Sequence, residues 1–481
     1  MVTQKTALNL QSLPTLPSAS SASSAVQFQN QNNNYYLKMI ATEPTILQQE
    51  RAIALVEETI KKSSAEGVVV SLNSGEESLS RYSENQITQN ITCTKFNLTV
   101  TSYFGKRSAS ASTTELDIDA IAQTIQRSQD LAKIAPEDPE WVPLLDPQIY
   151  DQQPPAFDIS TATCSPLKRG EIIQRLCNSS AKAGVEASGT LSTEAGLFVI
   201  GNSKGLLASN RTTEANFGLT IRVENGSSWS ERTAWGIDQI PVESIAEQLI
   251  DRAFAARNPR DIKPGIYPVI FDSAAFADLL NWVIWNLDAR AADEGRSFMS
   301  NNNGEGNRLG EPMFSSLVQV NRDRAHPLLQ TSPFFSDGLS NNYLDIIKDG
   351  IPNILSYSRY WAQQKGKSPT GYLFPIVMNG SSQNLTDLIA QTERGILVNR
   401  VWYTNYVNPK TLEITGMTRD GTFWLEDGKI AYPIKNLRFN QKLPEMMRDI
   451  DALTTVERYG NSVVPGARVK AFNFSSISDS V

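Results

Sequence analysis

The chain has 481 residues, of which 40% are hydrophobic and 20% charged, and its formal net charge is -7. This composition is ordinary for a globular protein and excludes a largely disordered chain, while the length allows two or three domains. The acidic balance disfavours binding to nucleic acid, and no run approaches the roughly 18 apolar residues that a membrane span requires.

The first 44 residues are predicted to be a disordered, low-complexity tail. Residues 18–25 contain only Ser and Ala, and a Gln/Asn tract follows at residues 29–34. Residues 1–38 lack the compact apolar segment of a secretion signal, so three interpretations remain open. The tail is a dispensable extension, a weak targeting peptide, or sequence upstream of a start at Met39.

Residues 45–145 are predicted to form an N-terminal α+β domain. Apolar residues recur at helical spacing at both ends of this segment, and β-branched runs separated by turn residues lie between them. The predicted elements are a helix at 45–60, a strand at 68–72 with a turn at 73–75, strands at 86–94 and 97–104 joined to a hairpin turn at 105–107, and a helix at 116–134.

Two further domains are predicted beyond a proline-rich linker that begins at residue 135. The central α+β domain, residues 146–265, contains a predicted helix at 169–183 and alternating strands around 187–199, 206–209 and 215–223. Residues 266–481 read as a β-rich, barrel-like domain with one long apolar helix at 273–292. The predicted fold class is therefore α+β, with N-terminal α/β-type domains before the β-rich domain.

Few residues offer metal or nucleophilic chemistry. His326 is the only histidine, which excludes a multi-histidine metal centre, and its loop context between arginine and proline favours a surface residue over a general base. Asp288, Asp293 and Glu294 could bind a cation, although charged helix ends are common. The three cysteines have no C-x-x-C spacing, which fits a reducing, cytoplasmic location.

Several sequence blocks resemble the TldD/PmbA family. The C-terminal blocks are NLTDLIAQTERGILV at 384–398, Trp402, VNP at 407–409, Gly421 and EDGKI at 426–430. The upstream blocks are SRYSEN at 80–85, YFGKR at 103–107, PEDP at 136–139 and NSKG at 202–205. Because the blocks occur in order, the resemblance covers roughly residues 45–475.

The resemblance implies a zinc metallopeptidase fold in which this chain has lost the metal ligands. Active members of the family carry H-E-x-x-x-H on a helix, where the histidines bind zinc and the glutamate activates water. Aligned with that helix, Asn281 and Asn286 take the histidine positions and Trp282 takes the glutamate position. Carboxamides are poor zinc ligands and tryptophan is not an acid or base near neutral pH. The family's C-terminal cysteine ligand also has no counterpart at or after Asn461.

Two interpretations of the degenerate helix remain open. Its broad apolar face favours a core helix, while Trp282 and Trp285, together with the asparagines, could instead line a cleft that holds peptide without cutting it. Neither interpretation assigns a catalytic residue to this chain.

The resemblance implies a PmbA (TldE)-type subunit that pairs with a zinc-bearing, TldD-like protease subunit and helps enclose unfolded peptide. Zinc is expected only in that partner, and the chain alone is expected to be inactive. The alternative is a self-associating, non-catalytic peptide-binding or scaffold protein. A third hypothesis, an enzyme that uses converging carboxylates, is disfavoured because the acids are dispersed in the sequence. The family's older label as a modulator of DNA gyrase has no support from a basic stripe or a DNA-binding motif.

Overall fold

The protein has a mixed α+β fold, which confirms the predicted class. The computed structural model describes residues 46–151, 155–301 and 306–478. The predicted tail and the alternative start at Met39 lie outside these residues. Over the described ranges, none of the helices combines the length and the apolar character needed to cross a membrane.

The N-terminal half contains a six-stranded antiparallel sheet in the order β3-β2-β1-β4-β5-β6, with helices packed against it. Its elements are α1 (Gln49–Lys62), β1 (Gly67–Ser83), β2 (Gln86–Phe104), β3 (Arg107–Thr113), α2 (Ile118–Ile134), α3 (Ile159–Ala162), α4 (Pro166–Lys182), β4 (Glu186–Asn202), β5 (Leu207–Val223), β6 (Gly226–Ala234), a 3-10 turn (Ile237–Gln239) and α5 (Val242–Ala255).

The strands of this sheet are longer than the sequence predicts. The turn expected at residues 73–75 is wrong, because β1 is a central strand and Asn73 pairs with Asn97 on one side and Phe198 on the other. Hydrogen bonds from both neighbours carry the strand through residues that would favour a turn in isolation. The hairpin turn predicted at 105–107 is present, with Gly105 at a φ of 58°.

The sheet joins the two predicted N-terminal domains, since β1 pairs with β4 over fourteen positions, from Val69–Asn202 to Tyr82–Gly189. The boundary proposed between residues 145 and 146 stays a prediction. Residues 142–151 run as irregular chain between α2 and α3, in the proline-rich segment that was predicted to be a linker.

The C-terminal part, from residue 265, is built on a second sheet of thirteen strands. Its elements are β7 (Gly265–Phe271), α6 (Ser273–Trp285), α7 (Ala289–Asp293), β8 (Val320–Arg322), β9 (Leu344–Lys348), β10 (Ile351–Pro352), α8 (Arg359–Lys365), β11 (Ile376–Met378), α9 (Leu385–Ala390), β12 (Arg394–Val398), β13 (Val401–Asn408), β14 (Glu413–Thr418), β15 (Thr422–Glu426), β16 (Lys429–Ile434), β17 (Leu437–Lys442), α10 (Leu443–Arg448), β18 (Ile450–Tyr459) and β19 (Ser462–Ile477).

This sheet is β-rich as predicted, but its described strands do not close into a barrel. The main path runs β10-β9-β8-β11-β19-β7-β12-β15-β16, and the branch β13-β14-β17 joins it at β19. The end strands β10 and β16 do not pair with each other. Strand β19 is the centre of the sheet, because its sixteen residues pair with β7, β11, β17 and β18.

Helix α6 lies against this sheet and fills its core. Phe276, Leu279, Leu280 and Val283 are completely buried, so the core-helix interpretation describes most of its surface. The single helix predicted at residues 273–292 is interrupted, since α6 ends at Trp285 and α7 begins at Ala289. The interruption is capped from both sides, by Asn286 and by Asp288, whose carboxylate accepts from Ala291 N at 2.7 Å.

Candidate functional site

A cleft of about 790 Å³ lies where the two sheets meet. It is lined by segments from β6, α6, β13, the β18–β19 turn and the loops at residues 331–341 and 372–375. This volume falls within the range of about 300–1,000 Å³ that is common for ligand sites. It is therefore the leading candidate for a functional site in the described part of the chain.

Helix α6 presents one narrow face to the cleft. Ala274, Ala277, Asp278, Asn281 and Trp285 line it, and their spacing of three or four residues places them along one side of a helix. The opposite side of α6 is the buried core face. The small residues near the start of the helix leave room for the cleft, while Asp278, Asn281 and Trp285 supply its chemistry.

Asn281, the first predicted degenerate ligand position, lies at the cleft surface. Its side-chain Oδ1 accepts a hydrogen bond from Ser462 Oγ at 2.9 Å. Ser462 opens β19 and lines the cleft together with Asn461, in the segment where the family's cysteine ligand was sought. The fold thus brings together the two segments in which the resemblance places metal ligands.

Trp282 and Asn286 point elsewhere. The Trp282 ring packs edge to face on Tyr406, with ring centroids 4.6 Å apart, and its Nε1 donates to Thr404 Oγ1 at 3.1 Å. Asn286 lies just beyond the helix, where its Nδ2 donates to Trp282 O at 2.8 Å and its Oδ1 accepts from the Tyr406 hydroxyl at 2.9 Å. Both side chains therefore connect α6 to β13.

These residues do not fit a zinc ion. Asn281 and Asn286 offer only carboxamides, and both Oδ1 atoms already accept hydrogen bonds from hydroxyl groups. Over residues 46–151, 155–301 and 306–478, no group of three or more His, Cys, Asp or Glu side chains is arranged to hold a metal.

Trp285 forms an aromatic wall of the cleft. Its side chain is 61% exposed and contacts Phe374 and Tyr372, with ring centroids 5.1 and 6.0 Å away. Tyr372 is exposed to a similar extent, at 59%. Exposed rings that contact one another in a concave site commonly mark a binding site. Whether peptide contacts Trp285 or Trp282 stays a prediction.

Two carboxylates that are distant in the sequence converge on the cleft. Asp278 comes from α6 and Glu231 from β6, and both side chains reach the water in the cleft. The surrounding protein atoms desolvate Asp278 and, with the charge of Glu231, raise its pKa to about 6, although Arg400 lowers it. Desolvation also raises the pKa of Glu231, against the lowering effect of Arg400.

Arg400 is the cation whose charge acts on both carboxylates, but its guanidinium is held by other groups. Its Nη1 donates to Asp420 at 2.7 Å, in an ion pair that is largely buried. Its guanidinium carbon also lies 4.0 Å from the Trp229 ring centre and 4.4 Å from that of Trp402. Arg400 therefore stiffens the cleft wall, and Asp278 and Glu231 form no ion pair with it or with another residue of the described ranges.

The other candidates from the sequence lie away from this chemistry. His326 is half-buried in a turn, where its Nδ1 accepts from Leu328 N at 3.3 Å and burial lowers its pKa. Asp293 pairs with Lys365 and accepts from Trp361 Nε1, and Glu294 pairs with Arg290. Asp293 and Glu294 thus serve in ion pairs, and Asp288 caps α7.

Sequence comparison with protein families agrees with this architecture. Residues 158–257 match the PmbA/TldA metallopeptidase central domain, and residues 264–476 match the PmbA/TldA metallopeptidase C-terminal domain. The chain therefore belongs to the PmbA/TldD family, as the sequence blocks indicated.

Individual relatives extend the likeness over most of the chain. The metalloprotease PmbA of Escherichia coli O157:H7 is 25% identical over 435 residues, which cover 86% of this chain and 92% of the relative. A PmbA homologue from Haemophilus influenzae is 23% identical over 398 residues, 77% of this chain and 83% of the relative. The crystal structure of TldE from Thermococcus kodakarensis has the same fold, with a TM-score of 0.78 and 17% identity over 89% of this chain and 99% of that one.

Proposed function

We propose that this chain is the non-metal-binding subunit of a heteromeric metallopeptidase and that its cleft holds unfolded peptide. A TldD-like partner would supply the zinc and the hydrolytic water. The cytoplasm is the proposed location, since the cysteine pattern suits a reducing compartment.

The observation that carries the proposal is the pairing of Asn281 with Ser462 at the edge of a large cleft. The resemblance places a histidine ligand at Asn281 and a cysteine ligand near the C-terminus, and here a carboxamide and a hydroxyl from these two segments bond to each other. The chain has a large cleft, with aromatic walls and polar groups that suit the side chains and backbone of an extended peptide. A cleft whose described residues include no metal-binding group of side chains favours binding over chemistry.

Co-purification tests the heteromer. The chain, carrying an affinity tag, is co-expressed with an H-E-x-x-x-H relative from the same organism, and the eluate is assayed for stoichiometry, zinc and hydrolysis of unfolded casein. We expect recovery of both chains in a fixed ratio, with zinc and peptidase activity only in the mixture. A partner whose motif glutamate is replaced by glutamine is the matched control, and it should assemble without hydrolysing casein.

The alternative assembly gives a different result in the same experiment. A self-associating scaffold would elute as an oligomer of the tagged chain without the relative, and casein would remain intact in every fraction. That outcome would contradict the proposal.

A further inference from the structure

The carboxylates of Glu231 and Asp278 have no hydrogen bond or ion pair with the residues that the structure describes, although they lie in one cleft. Other acids near the cleft are satisfied: Asp420 pairs with Arg400, and Glu457 pairs with Arg232 at 3.0 Å. Two neighbouring like charges that form no ion pair are unfavourable in a folded protein even though Arg400 offsets part of their charge, which suggests that they serve a ligand.

The charged side chains that line the cleft have an acidic excess. Two carboxylates and one guanidinium line it, and the guanidinium, Arg400, is bonded to Asp420. The Tyr459 hydroxyl, also at the lining, accepts from Arg232 Nη1 at 2.7 Å and donates to Glu457 at 2.9 Å. Among these groups Arg400 acts on Glu231 and Asp278, but a single guanidinium that is already bonded to Asp420 does not neutralise both carboxylates.

Aromatic rings next to the carboxylates add a second attraction for a cation. Trp285 and Tyr372 offer largely exposed rings to the cleft, in contact with each other. The same cleft already holds one guanidinium, that of Arg400, between Trp229 and Trp402. Carboxylates beside aromatic faces form a favourable site for a guanidinium or ammonium group.

A buried acceptor at the lining points to a hydrogen-bond donor. Asn341 is 5% exposed and donates its Nδ2 to Ser332 O at 3.0 Å, whereas its Oδ1 has no hydrogen-bond partner among the described residues. Thr331 Oγ1, at the same lining, is likewise without a partner in the described part of the chain. Unmet buried acceptors are costly, and a donor-rich ligand would satisfy them.

We propose that the cleft recognises a cationic group of its peptide, with Glu231 and Asp278 as counter-ions and Trp285 and Tyr372 as the aromatic wall. The inference rests on the proposed function in taking this cleft as the peptide site. Support comes from the pKa of Asp278, which at about 6 leaves its carboxylate ionised at pH 7.5. The cation could be an arginine or lysine side chain or the peptide's terminal ammonium.

Binding of short synthetic peptides to the isolated full chain tests this recognition. The probes share one Gly/Ser/Ala host sequence, acetylated and amidated at its ends, with a central arginine, lysine or citrulline. A fourth probe carries citrulline and a free N-terminus. Affinities are measured by isothermal titration calorimetry at pH 7.5.

We expect the arginine probe to bind about tenfold more tightly than the citrulline probe, which has nearly the same shape without the charge. Tighter binding of the lysine probe or of the free N-terminus would identify the ammonium as the preferred cation. Equal affinity for all four probes, or no binding of any, would overturn the inference.

Variants then assign the recognition to the two carboxylates. Glu231→Gln and Asp278→Asn should each reduce the arginine preference to within about twofold. The matched control is Glu243→Gln on α5, which removes one negative charge from an exposed pair with Arg175 of α4 and should keep the full preference. Retention of the preference by both cleft variants would refute the assignment.

The readout is independent of hydrolysis and of any partner. If the chain fails to form a heteromer but prefers the cationic probes, the proposed subunit role fails and the recognition stands. If a heteromer forms and cleaves casein while the chain ignores peptide charge, only the recognition fails.

Discussion

Replacing Asp278 by asparagine removes a charge that the folded protein accommodates poorly. The pKa of Asp278 is raised from its ordinary 3.8 to about 6, by desolvation first and by Glu231 second. That difference corresponds to about 3 kcal/mol of unfolding free energy. Because the Asp278 side chain is exposed to solvent, screening reduces this cost to about 1 kcal/mol.

The sign of the effect follows from proton binding. The folded state binds the proton more tightly than the unfolded state. The ionised carboxylate therefore lowers the unfolding free energy by nothing below about pH 4 and by the full amount above about pH 7. Asp278→Asn should therefore be more stable than the wild type by about 1 kcal/mol at pH 8, and by about half of that at pH 5. No hydrogen bond to a described residue is lost, since the Asp278 carboxylate makes none there.

Urea unfolding followed by tryptophan fluorescence measures this difference at both pH values. Glu243→Gln, which removes an exposed and paired carboxylate, should differ from the wild type by less than about 0.5 kcal/mol at either pH. A variant at Asp278 that is less stable than the wild type at pH 8, or whose advantage does not shrink at pH 5, would refute the electrostatic argument.

Two pairs of variants compare residues at the cleft with residues outside it. Trp282→Ala should cost about 2 kcal/mol of stability because it removes the contact with Tyr406. Trp285→Ala should cost less than about 1 kcal/mol of stability and should weaken peptide binding. Urea unfolding measures the stabilities and calorimetry measures the binding, and equal stability losses in the two variants would contradict the prediction. Arg400→Met should cost about 2 kcal/mol because it strands the buried Asp420 charge, which keeps only weaker contacts. Arg175→Met, at an exposed pair, should cost less than about 0.5 kcal/mol in the same assay, and a similar loss in both variants would contradict the argument.

The parts of the fold that repeat a strong local pattern were predictable from the sequence. The amphipathic spacing before residue 134 predicted α2, whose N-cap Asp117 accepts from Ala120 N at 2.9 Å. The α+β class and the β-rich C-terminal part followed in the same way. Strand lengths could not be predicted in this way, because residues 73–75 are held extended by neighbouring strands that lie far away in the sequence.

The cleft was only partly predictable. Sequence blocks located Asn281 and the helix that carries it, but the end of α6 at Trp285 depends on hydrogen bonds that Asn286 makes with Tyr406 and Trp282. The sequence showed dispersed acids, and only the meeting of the two sheets, where β6 contacts β18 and Trp229 packs on Arg400, brings Glu231 near Asp278. Neither Glu231 nor Asp278 belongs to a recognisable motif, so their proximity could not be predicted.

The central proposal is that this chain holds peptide in its cleft and does not itself bind zinc. The most direct measurement is the zinc content of the isolated chain after incubation with one equivalent of zinc and gel filtration, determined by mass spectrometry alongside hydrolysis of unfolded casein. We predict far less than one zinc ion per chain and no hydrolysis. One zinc ion per chain, with hydrolysis that a chelator abolishes, would contradict the account.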